Sequence, residues 1–141
     1  MKNHIVYTGG TFDLLHAGHV NFLRQCQSLG KVIVSLNTDE FIFEYKKQYP
    51  IMRFEERKEV LLGCRYVDEV IANVGGTDSK QAIMQVRPTI IAIGSDWARK
   101  DYYKQMSFDQ DWLDKLDIML VYIPYTQHIS TTDIKNRLKT V

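Results

Sequence analysis

The sequence has little of what would mark several protein classes. It holds only two cysteines, Cys26 and Cys64, in 141 residues. Two widely spaced cysteines make no disulfide scaffold. Both fall in helical patterns and read as reduced core or near-core thiols rather than metal ligands or nucleophiles. Charge of neither sign dominates: 18 Lys and Arg against 17 Asp and Glu give a formal net charge of +1. No global field therefore draws in nucleic acid or a membrane surface, and an anion has to be held by local chemistry. No apolar run approaches the ~20 residues of a membrane span. The start lacks the pattern of a secretory signal. A cytoplasmic protein with no membrane insertion and no nucleic-acid partner is expected. Repeats, linkers and low-complexity segments are absent too, and the length fits one domain, 1–141, with a real core.

What the chain does have is alternation. Short apolar runs at Ile5–Thr8, Val32–Leu36, Glu69–Val74, Thr89–Ile93 and Ile118–Ile123 read as strands. Helical patterns fall between them at Val20–Leu29, Phe54–Cys64, Ser79–Val86, Asp109–Lys115 and Thr132–Leu138. Strands alternating with helices predict βαβ units and a parallel sheet. The strand runs are almost wholly apolar, as expected where helices cover both faces. The predicted fold is a single α/β domain with a five-stranded parallel sheet flanked by helices. Glu40–Arg53 shows no clear periodicity and reads as a long loop of the kind that is usually functional or mobile.

Such a sheet binds ligands outside the carboxyl ends of its strands. Those ends carry Thr8-Gly9-Gly10-Thr11, Asn37-Thr38-Asp39, Gly94-Ser95-Asp96-Trp97 and Pro124-Tyr125-Thr126. Polar and glycine residues collect there, which predicts one site. Its centre is Gly9-Gly10-Thr11-Phe12-Asp13-Leu14-Leu15-His16-Ala17-Gly18-His19, where a strand hands over to a helix. Backbone N–H groups at a helix start can hold phosphate. Gly18 leaves room at the helix entry, and His16 and His19, at i and i+3, share one side of the first turn. Both rings can donate to phosphate oxygens. A zinc site would need a third ligand, and no nearby Cys, His or Glu supplies one.

Gly10-Thr11-Phe12-Asp13-x-x-His16-x-Gly18-His19 resembles the first motif of the cytidylyltransferase-like nucleotidyltransferases, and Ile129-Ser130-Thr131-Thr132 resembles their second. Arg65-Tyr66-Val67-Asp68-Glu69-Val70 and Gly94-x-Asp96-Trp97 point to the glycerol-phosphate branch. The resemblance implies a Rossmann-like homodimer. It implies a reaction joining CTP to a small phosphomonoester, glycerol 3-phosphate first, with release of pyrophosphate. It implies Mg2+ held mainly by the nucleotide phosphates, with no metal site of the protein's own, and a product that feeds a cell-surface polymer.

The residues suit that chemistry. A phosphate acceptor, with a second pKa near 6, is already a nucleophile and needs no general base. The protein has to align the reactants and neutralise charge, for which His16, His19 and Lys46 are suitable. Ser130, with Asp133 three residues on, reads as a capping-box-like helix start whose N–H groups can hold phosphates. Gly10, Thr11, Phe12, Gly94, Thr126, Ile129, Ser130 and Thr131 complete the expected nucleotide contacts. Other positions carry two readings each. By resemblance Arg65 contacts the acceptor phosphate, or it is a surface charge. Asp96 holds ribose hydroxyls or caps a turn, and Trp97 stacks near the base or packs in the core. Asp13 and Asp39 bond acceptor hydroxyls or are turn residues. Lys46 and Lys47 close over the acceptor phosphate or form a solvated pair.

One departure stands out. The family's second motif reads Arg-Thr-x-Gly-Ile-Ser-Thr-Thr, whereas this chain has Tyr125 in place of the arginine and His128 in place of the glycine. A phosphate-binding cation is missing there, with His128, Arg99 or Lys100 as candidate replacements, and the loop is expected to take a different path. Another phosphomonoester such as phosphoethanolamine, ATP as the donor, and a nucleotide-binding module without turnover are the competing expectations.

Overall fold

The computed structural model describes residues 3–74, 79–95, 108–124 and 126–141. Five strands run in chain order: β1 (Ile5–Gly10), β2 (Lys31–Asn37), β3 (Glu69–Asn73), β4 (Ile90–Gly94) and β5 (Met119–Ile123). They form one sheet of order β3-β2-β1-β4-β5 in which every pair is parallel. The helices are α1 (Ala17–Leu29), α2 (Asp39–Lys46), α3 (Phe54–Leu62), α4 (Lys80–Val86), α5 (Gln110–Lys115) and α6 (Thr131–Leu138). This is the predicted five-stranded α/β architecture.

The period of two along each strand sorts the core into two layers. Val6, Val32, Val34, Leu36, Ile90 and Ala92 face Leu23 and Cys26 of α1 and Leu61 of α3. Tyr7, Ile91 and Ile93 face Ala82 and Ile83 of α4 and Leu113 of α5. Each fully buried Val, Leu or Ile among them contributes roughly 1.5–3 kcal/mol. Cys26 is buried in the first layer, and desolvation pushes its thiol up to about 12. It is the core thiol expected from the sequence.

The order of strands reverses at β1: the chain moves outward through β2 and β3, then returns to the far side of β1 for β4 and β5. The carboxyl ends of β1 and β4 therefore open a crevice at the switch point. Two helix boundaries matter there. α1 begins at Ala17, three residues before the predicted start, because His16 caps it. α2 occupies part of the stretch read as a loop. Thr38 Oγ1 accepts from the Phe41 N–H at 3.2 Å, and Asp39 and Glu40 fill the first turn. That cap and acidic start are a helix signal. Phe41, Ile42, Phe43 and Tyr45 point to more than one side of the helix and hide its period.

Candidate active site

A cleft of about 810 Å³ lies over the carboxyl ends of the strands. Thr8 to Asp13, His16, Gly18 and His19 line it from one side. Tyr45 and Lys46 of α2, with Tyr49 and Pro50 just after it, line a second side, and Thr126, Ile129, Ser130, Thr131 and Lys135 the far side. Gly94 closes it at the end of β4. Most of the positions expected to contact nucleotide line this one cleft. Asp96, Trp97, Arg99, Lys100 and Tyr125 lie outside the described residues.

The geometry of the two histidines follows from their place in the first turn of α1. The Gly18 N–H donates to His16 Nδ1 at 3.0 Å, and the His16 N–H donates to His19 Nδ1 at 3.1 Å. Together these make a capping box in which imidazoles replace the usual hydroxyl and carboxylate. An Nδ1 that accepts carries no proton, so each neutral ring holds its proton on Nε2. Neither Nε2–H has a partner among the described residues, and both rings line the cleft. The rings stack with centroids 3.8 Å apart, and Phe12 tilts against His19 at 5.3 Å.

This packing keeps the rings uncharged. Burial lowers the pKa of His16. It pushes His19 down to about 4, helped by the neighbouring His16 and opposed by Asp13. The site thus offers two pre-aimed neutral donors at neutral pH. Gly18 is needed for a different reason than an open approach for the anion. A Cβ there would meet His16 Cε1 at 2.9 Å and Ile129 Cγ2 at 3.3 Å. The missing side chain makes room for the cap and for the second motif.

A stability consequence follows. The unfolded chain binds a proton at position 19 near pH 6.5, whereas the folded chain resists it down to about 4. Between those values the unfolded state holds more protons, so stability falls as pH falls through the window. The urea midpoint of the wild type is expected to drop between pH 7 and 4.5, and less steeply for His19→Asn. Equal pH slopes for the two proteins would contradict a buried neutral His19.

The second motif meets the first directly. Ser130 Oγ accepts from the Asp133 N–H at 3.0 Å and caps α6, as the spacing predicts. The Thr131 hydroxyl donates to the Asp13 carbonyl at 3.0 Å and pins the start of α6 to the loop after β1. His128 is exposed and does not line the cleft, so it is no replacement for the missing cation. It adopts φ 67°, in the left-handed region that glycine enters freely, so the loop bends there without glycine at some cost in strain. Among the described residues the cation on this side is Lys135, half-buried, which lines the cleft one turn into α6 and has no ion-pair partner there. Sequence reasoning missed it. The signal was its i+4 spacing from Thr131, which puts both on one helix face.

Two acceptor-site expectations, Asp39 and Arg65, are corrected. Asp39 is not on the cleft: its Oδ1 accepts from Arg57 Nη2 at 2.6 Å and its Oδ2 from the Phe54 N–H at 3.2 Å. Asp13 lines the cleft, and each of its oxygens accepts one backbone bond, from the Ile51 and Met52 N–H groups at 2.7 and 2.9 Å, which leaves lone pairs for a ligand hydroxyl. It anchors the segment that carries Tyr49 and Pro50. Arg65 lies away from the cleft, exposed, beside the Asp68 that bonds the amino end of β2. Its guanidinium sits 6.0 Å from the Tyr66 ring, so it reads as the surface charge.

The residue that organises this end is Arg57, whose side chain is 0% exposed. It donates to the carbonyls of Met52, Thr11 and Asn37 at 2.9 Å each and pairs with Asp39. One guanidinium thus joins the ends of β1 and β2 to the segment before α3. Its sequence signal was an arginine on the apolar stripe Phe54, Arg57, Leu61 of a helix.

The chain matches the cytidylyltransferase-like family over residues 7–137. It is 39% identical to glycerol-3-phosphate cytidylyltransferase of Bacillus subtilis (strain 168) over 141 residues, covering 98% of each chain. It is 41% identical to FAD synthase of Thermococcus kodakarensis over 92 residues, which covers 64% of this chain and 62% of that one. The fold is similar to that of a lipopolysaccharide core biosynthesis protein from Thermoplasma volcanium GSS1, with a TM-score of 0.70 over 91% of this chain and all of the other, at 24% identity.

Proposed function

The chain belongs to the cytidylyltransferase-like family and is a nucleotidyltransferase, and from that premise we propose that it joins CTP to glycerol 3-phosphate. The products are CDP-glycerol and pyrophosphate. The observation that carries the proposal is the convergence of two capped helix starts, α1 and α6, on one cleft, with two neutral Nε2–H donors between them. The choice of CTP and of glycerol 3-phosphate leans on the similarity that spans nearly the whole chain.

The acceptor phosphate attacks as its dianion. A bond forms between its oxygen and the α-phosphorus of CTP, the bond to the bridging oxygen breaks, and pyrophosphate leaves in line on the opposite side. His16 and His19 donate to oxygens of the reacting nucleotide phosphates. Donors fixed in a dry first turn need no reorganisation as charge moves toward pyrophosphate. The N–H groups at the start of α6, with the Ser130 and Thr131 hydroxyls and Lys135, take the β- and γ-phosphates. Lys46 meets the acceptor phosphate from the other side. Phe12, Gly94, Thr126 and Ile129 border the nucleotide. Mg2+ held by the CTP phosphates would lower their negative charge. The donor set suits that arrangement, because both oxygens of the Asp13 carboxylate already accept from backbone. On this reading the protein acts as a homodimer in the cytoplasm, and its product is an activated polyol phosphate for a cell-surface polymer.

The test is pyrophosphate release with CTP or ATP against a panel of phosphomonoesters. Release with CTP and glycerol 3-phosphate is expected. Release with ATP alone would overturn the donor assignment, and tight CTP binding without release for any acceptor would leave a binding module.

A further inference from the structure

Beyond the phosphate-binding groups, the cleft has a polar floor. It crosses the carboxyl ends of β1, β2 and β3. Asn73 Nδ2 donates to Asn37 Oδ1 at 3.1 Å. Asn37 Nδ2 in turn donates to Thr11 Oγ1 at 3.2 Å and to the Tyr45 hydroxyl at 3.5 Å. The two hydroxyls are 3.2 Å from each other. All four residues line the cleft. Asn73 is 4% exposed, yet its Oδ1 receives no hydrogen bond among the described residues.

Proton counting gives this floor a definite character. The Asn37 amide supplies both of its protons, so the Thr11 and Tyr45 oxygens act as acceptors toward it. One hydroxyl proton serves the contact between them, and the other is left for the cleft. Asn73 Oδ1 is an acceptor without a donor among the described residues, and an unpaired buried acceptor calls for an explanation. A wall with one spare donor and one unmet acceptor matches an alcohol group, which gives one hydrogen bond and takes another. It does not match an ammonium, which only donates. Lys46, whose Nζ lies 5.8 Å from the Tyr45 ring, adds a repelling charge. Asp39 is off the cleft and paired with Arg57, so it offers an ammonium no partner.

We propose that Asn37, Asn73, Thr11 and Tyr45 form the hydroxyl-reading wall of the acceptor subsite, which selects phosphomonoesters of polyols over those of simple alcohols and amino alcohols. This rests on the cytidylyltransferase reading above. Lys46 holds the acceptor phosphate while the wall tests the carbon chain for a hydroxyl group.

The experiment measures pyrophosphate release from CTP with glycerol 3-phosphate, propyl phosphate and phosphoethanolamine. The wild type is expected to prefer glycerol 3-phosphate by at least roughly 100-fold in kcat/KM over each of the others, a lower bound for a site built to hydrogen-bond a substrate hydroxyl. In Asn73→Ala and in Tyr45→Phe the ratio is expected to shrink to below about 10-fold. Tyr45→Phe removes one oxygen from a surface-reaching side chain and keeps the fold. A purely structural role would lower all three acceptors together and leave the ratio unchanged in both variants, which would overturn the proposal. So would a wild type that uses propyl phosphate or phosphoethanolamine as well as glycerol 3-phosphate. No pyrophosphate with any acceptor would overturn the cytidylyltransferase reading itself, and this wall with it.

Discussion

With His16 or His19 replaced by asparagine, kcat/KM is expected to fall by about 1,000-fold, the cost typical of losing one fixed donor to a charge-bearing transition state. Asparagine is the informative substitution. Its amide oxygen stands near the place of Nδ1 and can accept the same backbone N–H, from Gly18 at position 16 and from His16 at position 19. Asparagine is also among the best N-cap residues. The capping box is retained, and what disappears is the Nε2–H that faces the cleft. Alanine would remove cap and donor together and would add roughly 1 kcal/mol of helix destabilisation. Steady-state kinetics and thermal unfolding of the asparagine variants separate the two roles. A variant that unfolds with the wild type but has lost turnover supports the donor role. One that retains turnover within a few-fold would show that the histidines serve the helix alone.

The second large effect is on the fold. Arg57→Met is expected to cost about 3–5 kcal/mol, the range for breaking a buried ion pair from one side. Arg57 sits fully buried against Asp39, and three backbone carbonyls depend on the same guanidinium. Methionine fills comparable volume, so the loss reflects the hydrogen bonds and the stranded Asp39 carboxylate rather than a cavity. Arg57→Lys should recover little of it. A single ammonium cannot reach four acceptors spread over Thr11, Asn37, Asp39 and Met52. Urea unfolding measures the cost, and a loss below about 1 kcal/mol would mean the neighbourhood re-pairs without the arginine.

These two predictions mark what the sequence could and could not convey. The alternation of strands and helices was legible because each βα unit writes its own period into the local sequence. The first motif was legible because its strand end, glycines and histidines are contiguous, and Ser130 announced itself by its cap spacing. Asp13 and Asp39 have backbone and arginine partners that the sequence hid for a physical reason. An acidic side chain at a strand end looks the same whether it awaits a ligand or a distant backbone N–H. Their partners, Ile51, Met52, Phe54 and Arg57, arrive from elsewhere in the chain. Arg65 failed for a related reason, since its position depends on which end of β3 the preceding turn reaches. The helix α2 was hidden because its aromatics serve both the core and the cleft. Phe41 and Ile42 are buried, whereas Tyr45 and Lys46 line the cleft. Lys135 became visible only when α6 was seen to lay that face along the cleft. It is the described residue best placed to supply the positive charge that Tyr125 does not carry.

The central claim is that an oxygen of the acceptor phosphate attacks the α-phosphorus of CTP. Phosphorus NMR of the products from CTP and glycerol 3-phosphate labelled with oxygen-18 in its phosphate tests it most directly. The account predicts free unlabelled pyrophosphate and a CDP-glycerol whose bridging oxygen carries the label. An unlabelled bridge, or release of inorganic phosphate in place of pyrophosphate, would contradict it.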